Sequence, residues 1–503
     1  MRADQIRTAI DQIVETHQEW RRGCGAGEDN DAATPDALAA QALLRDLSLR
    51  LSKSSTPWPS PRYLAHMTPD VPAAVLLAAF TTLLYNPNNV AAEASPVTTD
   101  LESEVAADLC ALLGMPSDTA HAHLASGGHA ANYEALWIAR NLRSLPHAAA
   151  AGPDTRPLVA HLPDHVLANP PTHVAIDVQQ NLARAGRLDN ARARAATLRC
   201  TAERGPGALI LAANAHSCWT KCADVLGFRP ADVHRLPLGP EHRIDVAALE
   251  KLVPTLIQAG APIAAVVATV GSCGQGSVDD VARIVQLRDH CERDYGATFH
   301  LHLDAALGGY WRALCRTPQD AIRAWDEEHS PVSFDVYSAL IAIEHADTVT
   351  IDPHKAGHVP YPAGALVIRD RRATAAVATA NDYFDEAARP AGERTLEGAR
   401  PGTAAAAVWA AHRLIGLHAE GYGRLLGGWS DTAQRLHQAI PTSQYRPDLN
   451  ILNINSAKSP QELRAHGLWV SSTTLDGADR LRLCVMKYLS PEAMRNIGLR
   501  PLL

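Results

Sequence analysis

Four short stretches of this 503-residue sequence carry side chains whose types and spacing suit chemistry. "TIDPHKAGHVPY" (350–361) sets His354 and Lys355 side by side, directly after the β-branched run "DTVTI" (347–351). "HLDAALGGYW" (302–311) ends an apolar strand at Asp304 and follows it with small residues that leave room for something flat. "SGGHAAN" (126–132) opens a helix with Gly127 and Gly128, which let backbone N–H groups approach an anion with the helix dipole behind them. "AHSCWTKCADVLG" (215–227) puts His216 just after the apolar run "ALILAAN" (208–214). Singly, each has an ordinary explanation: a solvated lysine, an N-cap aspartate, a Gly–Gly turn, a satisfied loop histidine. Together they supply what pyridoxal 5′-phosphate requires, namely an amine for its carbonyl, a carboxylate for its ring nitrogen, a helix start for its phosphate and an imidazole for a ring face.

Elements able to bring these stretches together are legible in the pattern. Apolar runs at 158–163, 208–214, 263–270, 299–304, 347–352 and 365–370 read as strands, and segments of helical period such as "DDVARIVQLRDHCERDYG" (279–296) lie between several of them. Strands alternating with helices predict an α/β fold with a mainly parallel sheet covered on both faces, whose ligands gather at the carboxyl ends of the strands. Each chemical stretch falls at such an end or at a helix start. Residues 1–96 are expected to form a helical segment and dimer arm, 97–370 a large cofactor-binding domain, and 371–503 a small α+β domain with a mobile loop at 379–395. Residues 52–63 read as an extended Pro/Ser linker, 146–157 as a loop and 404–429 as one long helix.

Composition excludes several classes. The chain is 47% hydrophobic and 20% charged, with a net charge of −8 and no basic block, so neither a nucleic-acid nor a membrane footprint is expected. Its longest apolar stretch, "VPAAVLLAAF" (71–80), is too short to cross a bilayer, and the N-terminus has the charge pattern of an amphipathic helix rather than a signal peptide. Nine cysteines without framework or ligand spacing suggest reduced thiols, a cytoplasmic location and no metal site.

The motifs "HLDAALGG", "TIDPHK" and "SGGHAAN" resemble those of the group II pyridoxal-phosphate-dependent amino-acid decarboxylases of fold type I. "LYNPNNVAAEASPVTTDLESEV" (84–105), "HSCWTKCADVLG" (216–227), "DPHKAGHVPYPAGALVIRD" (352–370) and "TLEGARPGTAAAAVW" (395–409) are most similar to bacterial tyrosine decarboxylases, and "LRLCVMKYL" (481–489) looks like the family's C-terminal strand. The resemblance implies a seven-stranded, mainly parallel sheet and a homodimer with sites at its interface. It makes Lys355 the Schiff-base lysine, Asp304 the partner of the ring nitrogen, His216 and Ala306 the groups on the two ring faces, and Ser126, Gly127, Gly128 and His129 the phosphate loop. His354 would bear on the phosphate or the imine, His66, Asn88 and Arg482 would contact substrate, with His66 and Asn88 helping to build the neighbouring subunit's site, and Arg400 is a further candidate for a carboxylate contact. Tyr361 and Tyr383 are alternative proton donors to the substrate carbon, with Tyr361 preferred. His129, Ala130 and Ala399 depart from residues common in the family. The implied activity is decarboxylation of an L-amino acid, aromatic and tyrosine-like, to the amine and CO₂. Alternatives are decarboxylation coupled to O₂-dependent oxidative deamination giving an aldehyde, decarboxylation of a non-proteinogenic amino acid, or a scaffold without catalysis.

Overall fold

The computed structural model describes residues 1–26, 37–201, 205–379, 391–443, 445–490 and 492. Its centre is a seven-stranded sheet of β1 (His121–Ala125), β2 (Ala208–Ala212), β3 (Val233–Leu236), β4 (Ile263–Thr269), β5 (Leu301–Asp304), β6 (Thr348–Ile351) and β7 (Gly364–Ile368). The order is β1-β7-β6-β5-β4-β2-β3, and only β7 runs against its neighbours. A parallel sheet must be covered on both faces. Accordingly, every residue of β2, β4, β5, β6 and β7 is buried. The helix Gly128–Ala150 covers one face, setting Ala131, Ala135, Ile138 and Leu142 in one cluster with Leu366 and Ile368. On the other face Leu109, Ile284, Val336 and Leu340 share a core with Ile210, Val266, Leu303 and Val349. A separate three-stranded antiparallel sheet, β8 (Ile451–Ile454), β10 (Ala478–Cys484) and β9 (Ser471–Leu475), follows near the C-terminus.

The α/β class and the mainly parallel sheet agree with the sequence, but several local expectations do not. Residues 158–163 form turns rather than a strand, because Val159 and Leu162, three residues apart, plug the core beneath the Gly128 helix while Ala160 and His161 face solvent. β1, with His121 and His123 among its five residues, escapes a reading based on apolar runs. The supposed loop at 146–157 is partly the last turn of the Gly128–Ala150 helix, which carries Pro146 within it. The supposed linker at 52–63 begins inside the helix Ala37–Ser54 and continues as turns, with Tyr63 buried. The long helix expected over 404–429 is two, Gly402–Ile415 and Arg424–Ala439. Gly416 separates them at φ 85°, a conformation that a residue with a Cβ rarely adopts.

Arg143 ties the Gly128 helix to the amino edge of the sheet. Its guanidinium is buried and donates to the carbonyls of Ile263 (2.8 Å), Pro170 (2.6 Å) and Thr298 (2.5 Å). Burial brings it down to about 10, still charged at neutral pH. Arg143→Met would strand three buried carbonyls, each worth about 1 kcal/mol. A loss of about 3 kcal/mol is expected, read as a lower urea midpoint against the wild-type chain.

Candidate active site

A cleft opens at the carboxyl edge of the sheet, lined by residues that follow β1, β2, β4, β5 and β6, with Met67 entering from outside. β6 ends at Ile351, and the short helix Pro353–Ala356 then carries Lys355 into the cleft. Lys355 Nζ lies 2.9 Å from Asp352 Oδ2, and Asp352 is 2% exposed. Burial alone would lower the ammonium, but Asp352 and, beyond it, Asp304 outweigh burial and hold Lys355 above its ordinary value. From the same helix, His354 places Nε2 3.6 Å from the same Asp352 oxygen, its ring meets Tyr361 with centroids 4.1 Å apart, and its Nδ1 accepts from Ala363 N–H at 3.3 Å.

Asp304 ends β5 and is 6% exposed. Its Oδ2 accepts from Asn132 Nδ2 (2.9 Å) and Trp219 Nε1 (3.2 Å), whereas Oδ1 has only Ala306 N–H at 3.4 Å. Burial raises this carboxyl and Cys218 adds to the effect, against the pull of Lys355, Asn132 and His216. His216 stands at the cleft wall with its edge fixed, Nδ1 accepting from the Cys218 backbone N–H at 3.2 Å, while a hydrogen bond with the Cys218 side chain is the main cause of its raised pKa.

The turn after β1 completes the wall. A Cβ at Gly128 would lie 2.8 Å from Asp352 Oδ2 and 3.2 Å from the Ala306 Cβ, so only glycine lets the helix start approach so closely. Ser126 N–H, on the turn just before this helix, donates to the Glu397 carboxylate at 2.9 Å, so the turn already holds an anionic group. These observations fit a phosphate-bearing ring: an anion cradle, a carboxylate oxygen left open and a lysine, around one cleft.

Comparison with known proteins decides what the cleft serves. Residues 207–445 match the pyridoxal-dependent decarboxylase conserved domain. The L-tyrosine decarboxylase of Levilactobacillus brevis is 33% identical over 479 residues, 90% of this chain and 75% of the relative. That of Enterococcus faecium is 32% identical over 483 residues, 88% of this chain and 78% of the relative. The chain belongs to the group II pyridoxal-phosphate-dependent amino-acid decarboxylases. Among solved structures, the fold is similar to Oryza sativa TDC with PLP and tryptamine (TM-score 0.65, 18% identity, 99% of this chain and 96% of that one). It is likewise similar to a glutamate decarboxylase domain from Vibrio parahaemolyticus (TM-score 0.65, 16% identity, 99% and 93%). The enzyme is therefore a carboxy-lyase of fold type I, and its cofactor is pyridoxal phosphate.

Of the residues singled out in the sequence, this decarboxylase brings Lys355, Asp304, His216, Ala306, Gly128 and His129 into the one cleft, with Ser126 and Gly127 on the turn beside it. His354 and Tyr361 form a tilted ring pair at its margin, the Tyr361 hydroxyl donating to Met67 O at 3.2 Å. Arg482 is a buried brace, donating to the carbonyls of Cys273 (2.7 Å) and Ala65 (2.9 Å), and His66 lies exposed beyond it. Within one chain Asn88 does not line this cleft: its Oδ1 accepts from Arg400 N–H at 3.0 Å. Arg400 is itself committed to Glu102 and to the carbonyls of Leu124 and Asn89. Tyr383 lies outside the described residues. Sequence reading passed over Asp352, Asn132, Trp219 and Cys273. Two of these carry a spacing signal: Asp352 is three residues before Lys355, and Asn132 is four after Gly128 on the same helix face.

Asp352→Asn should make the lysine easier to deprotonate, since burial would then act against a weakened counter-charge. The pH midpoint for reaction of Lys355 with added pyridoxal phosphate, followed by absorbance, is expected to fall by about one pH unit or more.

Proposed function

We propose that this decarboxylase removes CO₂ from an L-amino acid with an aromatic, tyrosine-like side chain and releases the amine. The observation that carries the reading is the pairing across the cleft of Lys355, held beside Asp352, with Asp304, whose Oδ1 is left open. Bound pyridoxal phosphate supplies the electron sink for cleavage of the carbon–carbon bond. Lys355 holds its carbonyl, Asp304 faces its ring nitrogen, His216 and Ala306 take the ring faces, and Ser126 to His129 with His354 hold its phosphate. Tyr361 returns the proton to the substrate carbon. An aromatic substrate is supported by Met67, Leu307 and Ala306 in the wall. Lys355 is the one Lys or Arg among the described lining residues, so the side chain of an acidic substrate would lack a cationic partner. The L-tyrosine decarboxylases among the relatives point the same way.

The division into residues 1–96, 97–370 and 371–503, and a cytoplasmic location, belong to the same proposal. Among the described residues no helix is long and apolar enough to cross a membrane. A homodimer is supported by the helix Ala37–Ser54, which buries none of its residues and exposes Leu38, Leu43, Leu44, Leu47, Leu49 and Leu51. So much uncovered leucine on one helix is costly in water and suits a second copy of the chain.

Three measurements test this. Incubating the enzyme and cofactor with a pool of L-amino acids in air should yield an aromatic amine and CO₂ by mass spectrometry, and Lys355→Ala should yield none. Tyr361→Phe is expected to slow amine release on the order of 100-fold, with aldehyde becoming the main product. Sedimentation should give twice the 53.9 kDa chain mass, and replacing Leu43, Leu44 and Leu47 together by Gln should return it to the monomer value.

A further inference from the structure

The strand motif "HLHLD" (300–304) alternates polar and apolar residues, so His300, His302 and Asp304 share one side of the extended chain. Asn132 bridges two of them: Nδ2 donates to Asp304 Oδ2 at 2.9 Å, and Oδ1 lies 3.1 Å from His302 Nε2. His302 Nδ1 lies 2.9 Å from Oγ1 of Thr348, its cross-strand partner on β6, and that oxygen lies 2.9 Å from His300 Nε2. Asn132, His302, Thr348 and His300 are all at most 2% exposed, and the Trp219 ring stands edge-on to His302 with centroids 5.4 Å apart. The chain of contacts crosses the sheet from the cleft to its far edge, where His300 Nδ1 lacks a hydrogen-bond partner and lies 4.0 Å from Asp347 Oδ2.

The chemistry of the donors and acceptors gives this chain one direction. A carboxylate only accepts, so Asn132 presents N–H to Asp304 and keeps its oxygen for His302. His302 Nε2 must then carry a proton. Burial pushes His302 down to about 3 and His300 to about 4, so each imidazole is neutral and holds a single N–H. His302 Nδ1 is therefore an acceptor, the Thr348 hydroxyl donates to it, and the Thr348 oxygen accepts from His300 Nε2–H. Every hydrogen bond points toward Asp304.

We propose that Asn132, His302, Thr348 and His300 are positioning residues, a single polarised chain that fixes an N–H donor on Asp304 Oδ2 and leaves Oδ1 for the cleft. This rests on the role given to Asp304 above. In a dry interior such a chain strengthens link by link, and each donor to a charged group counts for more than one to a neutral group. It opposes the raising of the Asp304 carboxyl by burial and keeps the charged form. The Asn132 amide does not pass protons readily, so the chain orients Asp304 and does not conduct.

Neutron diffraction from deuterium-exchanged crystals of the full chain tests the direction without any turnover. Deuterium is expected on Nε2 of both His300 and His302, with the Asn132 nitrogen toward Asp304. A proton on His302 Nδ1, or an Asn132 oxygen facing Asp304, overturns the proposal. Function is read from the cofactor dissociation constant and visible absorption band. His302→Phe should weaken binding about tenfold and shift the band, whereas His302→Gln, which keeps a donor near the Nε2 position, should stay within about threefold. Thr348→Val, nearly isosteric, should shift the band in the same direction and leave His302 in mixed tautomers. Wild-type constants and band in both His302→Phe and Thr348→Val sink the idea. If these expectations hold but no amino acid yields amine, the decarboxylation reading fails and the chain to Asp304 stands.

Discussion

A charged carboxylate at the end of a buried strand is the constraint on which the rest of the site depends. Asp304 terminates β5, in the middle of a sheet whose central strands are dry on both faces, and an ionised carboxyl there is costly unless donors surround it. The fold meets that demand from three directions. Asn132 reaches it from the helix that starts at Gly128, Trp219 from the helix after β2, and the backbone of Ala306 from the turn beyond the strand. Because Asn132 and Gly128 share that helix, the element that satisfies Asp304 also carries the glycine start packed against Asp352.

A second charge pair is built against the first. Asp352 touches Lys355, and its carboxylate also lies where a side chain on Gly128 would have to go. The glycine, the acid and the lysine therefore form one packed unit although residues 128 and 352 are far apart in the chain. Changing any one of them alters the approach of the helix start to the lysine. The braces at Arg400 and Arg482 act at greater distance, each tying backbone carbonyls from separate segments, and Arg143 does the same at the opposite, amino edge of the sheet.

Much of this was legible in the residues, because buried parallel strands announce themselves as apolar runs. β2, β4, β5, β6 and β7 were found that way, and so were the polar groups at their ends. The runs misled where apolar side chains served another purpose, as when Val159 and Leu162 packed from a turn. They were silent where a strand carried histidines, as β1 does. Asp352 was in view but looked like a strand terminator. Its three-residue spacing from Lys355 was the one local sign that this acid holds a lysine as well as stopping a strand.

The sequence by itself determined the α/β class, the edge of the sheet where chemistry gathers, and the identities of Lys355, Asp304 and His216, since periodicity and residue type are local properties. Tertiary structure alone decided which groups complete them. Asn132 meets Asp304 across 172 positions of sequence, and Arg482 is a brace rather than a free cation because two carbonyls from other segments reach it first. Asn88 is turned to Arg400 for a similar reason. A hydrogen bond depends on distance and direction to within a few tenths of an ångström, and only the packing of whole elements sets those.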